Sequence, residues 1–185
     1  MFYNNRHGQR PNIGARQIAG FSMIELLVAV LVMGIGVLGI TGLQMVSLQN
    51  NREALLRAEA TQLAYDMMDR IRANPIGTPL GDDYDGVDVD EAPVGGVDCM
   101  ANNCTADDMV TFDTSLWKCQ LGNWHDDDVC VDYRDDDVIP SEDEQPGLPD
   151  GDGSISVANT GLITITVQWT GPNGVDQTVV IDSQS

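Results

Sequence analysis

Basic residues are scarce over most of this chain, and acidic residues are abundant. Beyond residue 74 the cations are Lys118 and Arg134, set against 24 acidic residues, and the whole chain carries a formal charge of −20. A nucleic-acid-binding surface needs a basic patch, so this composition argues against nucleic acid as a partner. We interpret the acidity as a solvated surface, with cation binding as the open alternative.

Histidine and aromatic residues are also few. Histidine occurs twice, as His7 and His125, and aromatic residues make up 5% of the chain. Catalysis by a Ser–His–Asp or Cys–His set requires a histidine held in a cleft, whereas His125 lies in an acidic, polar tract. We therefore predict that the protein is not an enzyme, with no catalytic residues and no cofactor.

Charge is missing altogether from one long apolar run. Leu26 to Leu43 is eighteen residues without a charged side chain, close to the roughly 20 apolar residues that a membrane-spanning helix needs. The cations Arg6, Arg10 and Arg16 lie on its N-terminal side, whereas the first cation after it is Arg52. This asymmetry predicts a single membrane pass with the N-terminus in the cytoplasm and the remainder of the chain in the periplasm.

A single acid, Glu25, lies immediately before this run. An ionisable group inside a membrane segment is costly and indicates function. The segment GFSMIELLVAVLVMGIGVLGI resembles the class III signal of type IV prepilins. The resemblance implies that prepilin peptidase cleaves between Gly20 and Phe21, that Phe21 is N-methylated, and that Glu25 pairs with the amine of a neighbouring subunit. The alternative is an ordinary single-pass anchor with a chance match.

The chain before Pro75 divides into a leader and one long helix. Residues 1–20 form the polar leader. Residues 21–74 are predicted to be helical, with residues 21–48 as the transmembrane and assembly half and residues 49–74 as the amphipathic half. Apolar residues of the second half recur at spacings of three and four, which is typical of one helix face. They are Leu56, Ala60, Leu63, Met67 and Ile71, with Ala64 and Met68 beside them.

Residues 75–185 are predicted to form a small periplasmic head. We expect a loop over 76–103, a short helix over 105–121 that starts at Thr105 and stops at Gly122, an acidic loop over 123–149, and a β-sheet over 154–182. Within the sheet, Ile163, Ile165, Val167 and Trp169 alternate with polar residues, which is typical of a half-buried strand. A turn at 171–174 joins the last two strands in a hairpin. A helix covering an antiparallel sheet gives an α+β fold.

Four cysteines lie in this head. An even number of cysteines in an oxidising compartment indicates disulfides. Three pairings are possible, and we favour Cys99 with Cys104 and Cys119 with Cys130, because sequence neighbours close small loops. A zinc site combining these thiols with His125 is the alternative, although the spacing matches no common ligand pattern.

The stretch from Pro149 to Ser156 resembles the core of a calcium loop. Asp150 and Asp152 match two ligand positions, but the first position would be Leu148 and the last Asn159, so two oxygens are missing. We predict a turn leading into a strand and no metal site, with calcium as a weak candidate at Asp150 and Asp152.

A finer resemblance covers residues 18–182. The run QNNREALLRAEATQLAYDMMDRIRANP, the paired cysteines, the helix with Trp117, the stretch LPDGDG and the closing strand ITVQW resemble the minor pilins of the PilV family, also called type IV pilus modification proteins. The acidic insertion between Trp124 and Gln145 departs from that family.

This second resemblance implies the type IV pilin fold and a low-abundance subunit of the pilus. The subunit would move from the inner membrane to the pilus tip, where a priming complex initiates assembly and supports adhesion and twitching motility. The implied partners are other minor pilins, the major pilin, prepilin peptidase, the inner-membrane assembly platform and a tip adhesin. The alternatives are a minor pseudopilin of a type II secretion system and a cation-dependent adhesive module on a pilin stalk.

Overall fold

The computed structural model describes residues 20–76, 80–141 and 143–184. The leader, apart from Gly20, lies outside these residues, and so do Arg6, Arg10, Arg16 and His7. The chain divides into two units, one ending at Met45 and the other running from Val46 to Ser185. The elements, in order, are α1 (Met23–Ala73), a 3₁₀ turn (Asp82–Tyr84), α2 (Ala106–Leu121), α3 (Asp128–Asp135), β1 (Asp152–Val157), β2 (Leu162–Thr170) and β3 (Asp176–Gln184).

α1 begins and ends within two residues of the predicted limits. Its end follows from the sequence: Pro75 lacks a backbone N–H and restricts the residue before it. The buried residues of α1 are the members of the predicted stripe, including the two flanking residues: Leu56, Ala60, Leu63, Ala64, Met67, Met68 and Ile71. The helical period of the second half therefore identified the face that packs on the head.

The described strands form an antiparallel sheet in the order β1-β2-β3. The predicted inward face of β2 is buried, with Ile163, Ile165, Val167 and Trp169 each at most 2% exposed. These side chains share one hydrophobic cluster with the buried stripe of α1. The predicted hairpin is confirmed, since β2 and β3 pair from Leu162↔Gln184 to Thr170↔Asp176. Together these contacts confirm the α+β fold class.

α2 matches its predicted limits closely because both of its ends are encoded locally. The Thr105 hydroxyl accepts a hydrogen bond from the Asp108 backbone N–H, and the Asp108 carboxylate accepts one from the Thr105 N–H, which completes a capping box. At the other end Gly122 has a φ of 120°, a conformation that favours glycine. An added Cβ at Gly122 would lie 2.4 Å from the Leu148 carbonyl oxygen, so the position also lacks space for a side chain.

The acidic stretch 123–149 is not the continuous loop that the sequence predicts. It contains α3, which Asp127 caps by accepting a hydrogen bond from the Val129 N–H at 3.0 Å. Cys130 and Tyr133 of α3 are buried against α2 in a second hydrophobic cluster. The prediction was wrong because α3 is only eight residues long, three of them acidic, and its two buried positions do not form a recognisable period.

Candidate functional site

The predicted cleavage point lies just before α1. Gly20 is exposed, and the side chain of Phe21 is 81% exposed. Helical hydrogen bonding starts with the Ser22 carbonyl, which accepts from the backbone N–H of Glu25 at 3.0 Å and of Leu26 at 3.3 Å. The bond between Gly20 and Phe21 is therefore outside the helix on an accessible backbone, and such backbone is where proteolysis concentrates.

Glu25 lies in the first turn of α1. A carboxylate there interacts favourably with the helix dipole and with the N–H groups of the first turn, which have no partner within the helix. Among the described residues no side chain forms an ion pair or a hydrogen bond with Glu25. Glu25 therefore lies at the start of the apolar segment without an ion-pair or side-chain hydrogen-bond partner among the described residues of its own chain.

The segment that follows Glu25 exposes its apolar side chains on every face. From Leu26 to Leu48 the large apolar residues are each at least 55% exposed, and no residue of the segment is buried. By length and composition α1 could span a membrane. A continuous apolar surface of this extent is rare on a soluble monomer and marks a site that contacts protein or lipid.

All four cysteines are paired, and the pairing is the one favoured from the sequence. Cys99 is bonded to Cys104, and Cys119 is bonded to Cys130. The first bond closes the loop that precedes α2, and the second joins α2 to α3. Thiols in disulfides are not available as metal ligands, so the alternative of a zinc site with His125 is wrong.

The two calcium candidates have different surroundings. Asp152 is buried, and its Oδ1 accepts hydrogen bonds from Lys118 Nζ at 2.6 Å and from the Gly153 N–H at 2.7 Å. Its Oδ2 accepts from the Asp90 N–H at 2.7 Å. Asp150 is exposed and has a φ of 50°. The described residues contain no group of three or more His, Cys, Asp or Glu side chains placed to hold a metal ion.

The buried ion pair of Lys118 and Asp152 is a feature that the sequence analysis missed. Their side chains are 3% and 2% exposed, and Lys118 Nζ also donates to the Asp88 carbonyl at 2.6 Å. The pair therefore joins α2, the start of β1 and the loop at 88–90. A lone lysine within a predicted amphipathic helix was the available signal, but nothing in the sequence identified its partner.

A second buried polar network links α1 to the head and was also missed. The Tyr84 hydroxyl donates to Asp113 Oδ2 at 2.9 Å and accepts from Asn74 Nδ2 at 3.0 Å. Arg70 Nη1 lies 3.1 Å from Asp113 Oδ1. Burial raises the pKa of the Tyr84 hydroxyl, and the Asp113 carboxylate contributes in the same direction. This hydroxyl is therefore neutral and serves as a fixed donor.

Comparison with known protein families agrees with these features. Residues 15–41 match the prokaryotic N-terminal methylation motif, and residues 42–115 match a family described as type IV pilin Tt1218. The two matches adjoin one another and cover the apolar segment, the amphipathic half of α1 and much of α2. No curated protein and no solved structure matches the chain.

The class of the protein is indicated by three features together: the fold, the exposed apolar segment and the methylation motif. The protein has the helix-on-sheet architecture of a pilin subunit, and the matched methylation motif covers the start of the long helix. By these matches the chain is similar to type IV pilins over residues 42–115 and carries an N-terminal methylation motif over residues 15–41. Type IV pilins are structural subunits.

Proposed function

We propose that the protein is a minor pilin that is processed at Gly20–Phe21 and then assembles into a type IV pilus. The observation that carries the proposal is Glu25, an acid without a described partner, which lies within the matched methylation motif and directly before an exposed apolar segment. In an ordinary membrane anchor this acid would interact only with the first turn of its own helix, whereas in an assembling subunit it also has an ion-pair partner.

The proposed mechanism begins in the inner membrane. The apolar segment holds the subunit there, with the leader in the cytoplasm and the head in the periplasm, because the leader carries Arg6, Arg10 and Arg16. Prepilin peptidase hydrolyses the Gly20–Phe21 bond and transfers a methyl group from a methyl-donor cosubstrate to the new amine. Cleavage removes the cationic flank and creates a positive charge on Phe21.

Assembly then supplies the partner that Glu25 lacks. When two processed subunits meet, the amine of Phe21 on one lies against the Glu25 carboxylate of the other, and the charges compensate in a medium of low dielectric constant. The apolar side chains between Leu26 and Leu48 exchange lipid for the helices of neighbouring subunits. The charges of Phe21 and Glu25 therefore compensate each other only when the helices of the two subunits are correctly aligned along their length.

The minor role and the location at the tip rest on the resemblance of residues 18–182 to the PilV family. In that role the subunit joins other minor pilins in a complex on the assembly platform, initiates the fibre ahead of the major pilin and supports a tip adhesin. Adhesion and twitching motility would depend on this subunit even though few copies of it are present in each pilus.

A minor pseudopilin of a type II secretion system would share the same processing site and the same Glu25 pairing. Genomic neighbours distinguish the two, since pilus genes or secretion genes would flank the coding sequence. A cation-dependent adhesive module finds less support, because the buried Asp152 carboxylate is already engaged by Lys118 and two backbone N–H groups.

Replacing Glu25 tests the proposal directly. We expect Glu25→Ala to insert and mature normally but to enter sheared pili at a level at least about tenfold below wild type, equivalent to about 1.4 kcal/mol. Glu53→Ala is the matched control, an acid-to-alanine change on the same helix outside the apolar segment, and should assemble normally. Immunoblots of membranes and sheared pili provide both measurements. Wild-type incorporation of Glu25→Ala would refute the pairing.

Replacing Gly20 tests the processing step alone. A methyl group on the residue before the scissile bond should slow or abolish leader removal, so Gly20→Ala should accumulate at the mass of the unprocessed chain. Gly34→Ala is the control, because an added Cβ there meets no atom within 4 Å, and it should mature at the wild-type rate. Normal maturation of Gly20→Ala would place the cleavage elsewhere.

A further inference from the structure

The last strand of the sheet has a free edge. β3 is nine residues long and pairs on one side with β2. Among the described residues, no backbone hydrogen bond reaches its other side. An edge of this length is a template for pairing with another strand unless charge, proline or a covering element prevents it.

The hairpin turn shows which groups of β3 face this edge. The Gly171 N–H donates to the Val175 carbonyl at 2.9 Å, and these two residues form the next pair of the β2–β3 register. Bonded and non-bonded pairs alternate in an antiparallel ladder. The backbone groups of every second residue from Val175 therefore face β2, and those of Thr178, Val180 and Asp182 face away from it.

The side chains of β3 show that the sheet is incompletely covered at this edge. Val179 and Ile181 point to the core side and pack against the hydrophobic cluster that β2 shares with α1, yet both are only partly buried. On the other side of the sheet Val180 is 55% exposed. A further strand with apolar residues on the core side would cover Val179 and Ile181 and would pair the free backbone groups.

Charge decides what kind of strand fits. Asp176 and Asp182 lie on the outer side of β3, and the residues between them are uncharged. Consider the β3 strands of two copies paired antiparallel along their free edges. With Thr178 of one copy opposite Val180 of the other, Asp176 would lie opposite Asp182. With the register shifted by two residues, the two acids would lie diagonal to each other. Like charges opposed across strands are destabilising, and each copy carries a net charge of −20. Self-pairing is therefore disfavoured.

We propose that the free edge of β3 is a docking site for a β-strand of a partner protein, with apolar side chains towards the core and basic side chains opposite Asp176 and Asp182. Main-chain hydrogen bonds would supply affinity, and the alternate side chains would supply specificity. This inference does not depend on the pilus assignment, since it follows from the head alone.

Synthetic peptides as long as β3 test the proposal with the full-length chain in detergent micelles. Peptide KVTVTVKVT places valines on one side and lysines opposite the two acids. EVTVTVEVT reverses the charge, and KVTVPVKVT keeps the charge but loses the central N–H. By fluorescence anisotropy we expect the first peptide to bind at least about tenfold more tightly than either control, a difference of about 1.4 kcal/mol. Equal binding of KVTVTVKVT and KVTVPVKVT would reveal mere charge attraction and overturn the proposal.

Three variants of the protein complete the test. Val180→Pro removes an outward N–H while leaving the β2 ladder intact, as edge strands tolerate, and should abolish peptide binding. Val180→Thr is its control and should bind normally. The double variant Asp176→Lys with Asp182→Lys should reverse the preference to EVTVTVEVT. If Val180→Pro does not fold, the charge reversal decides the matter: an unchanged preference for the basic peptide overturns the proposal.

Hydrogen exchange identifies the edge residue by residue. Binding of KVTVTVKVT should slow exchange at the amides of Thr178, Val180 and Asp182, while those of Val179 and Ile181 are already protected by β2. Protection at any other surface without these three amides would contradict the docking site. A dimer held together by β3 in the absence of peptide would also contradict it, because the occupant would then be a second copy.

Discussion

The two halves of α1 are both rich in apolar residues, but they present them differently. From Leu26 to Leu48 the apolar residues surround the helix, and all of them are exposed. From Leu56 to Ile71 they form one stripe, and the stripe is buried under the sheet and α2. A periodic stripe identifies a partner within the same chain, whereas an apolar surface on every face identifies a partner outside it.

The same contrast applies to the acids. Asp152 in the head is 2% exposed and has Lys118 at 2.6 Å, while Glu25 at the start of the apolar segment has no ion-pair partner in the described residues. Removing an acid from water is tolerable when a cation compensates it. Asp152 is paired with Lys118 when the head folds. In the proposed mechanism Glu25 is paired with the amine of a neighbouring subunit when the filament assembles.

The largest effect is expected when the buried ion pair of Lys118 and Asp152 is broken. Lys118→Met leaves the Asp152 carboxylate buried and without its cation, so the head should lose about 3–5 kcal/mol of stability. Adding Asp152→Asn removes the uncompensated charge and should restore part of that loss. Chemical denaturation of the full-length protein in detergent measures both variants. An unchanged midpoint for the single variant would show that the pair is unimportant.

Two isoleucines of α1 give a matched test of the two halves. Ile71 is fully buried and Ile35 is 65% exposed. We expect Ile71→Ala to destabilise the head by about 2–5 kcal/mol, the usual cost of a large-to-small change in a core. Ile35→Ala should leave head unfolding unchanged, as followed by near-ultraviolet circular dichroism. Similar losses for both variants would contradict the distinction drawn between the halves.

A smaller effect is expected from the polar network at the end of α1. Tyr84→Phe removes the hydroxyl that joins Asn74 to Asp113 and leaves both groups short of a partner, which should cost about 1–3 kcal/mol. Tyr65→Phe is the control, because Tyr65 is 54% exposed and its hydroxyl has access to water. Thermal unfolding should separate the two variants, and coincident curves would argue against the network.

Sequence reasoning was most successful where a local pattern determines the structure. The stripe from Leu56 to Ile71, the alternation along β2, the cap at Thr105 and the stop at Gly122 are all readable from neighbours in the chain, and all are present. The disulfides also followed from proximity in sequence.

Interactions between distant residues were beyond sequence reasoning. Lys118 and Asp152 are 34 residues apart, and Tyr84 and Asp113 are 29 apart, so only the fold brings them together. α3 was missed because its cohesion comes from Cys130 and Tyr133 packing on α2 rather than from its own sequence. The processing site and the role of Glu25 remain predictions, because they concern events between molecules.

Mass spectrometry of subunits from sheared surface filaments shows where the mature chain begins and whether it enters a filament. We expect a chain that begins at Phe21, carries one N-terminal methyl group, lacks residues 1–20, and occurs at low abundance among other pilins. A chain that retains residues before Phe21, or that stays in the membrane and is absent from every filament and secretion assembly, would contradict this expectation.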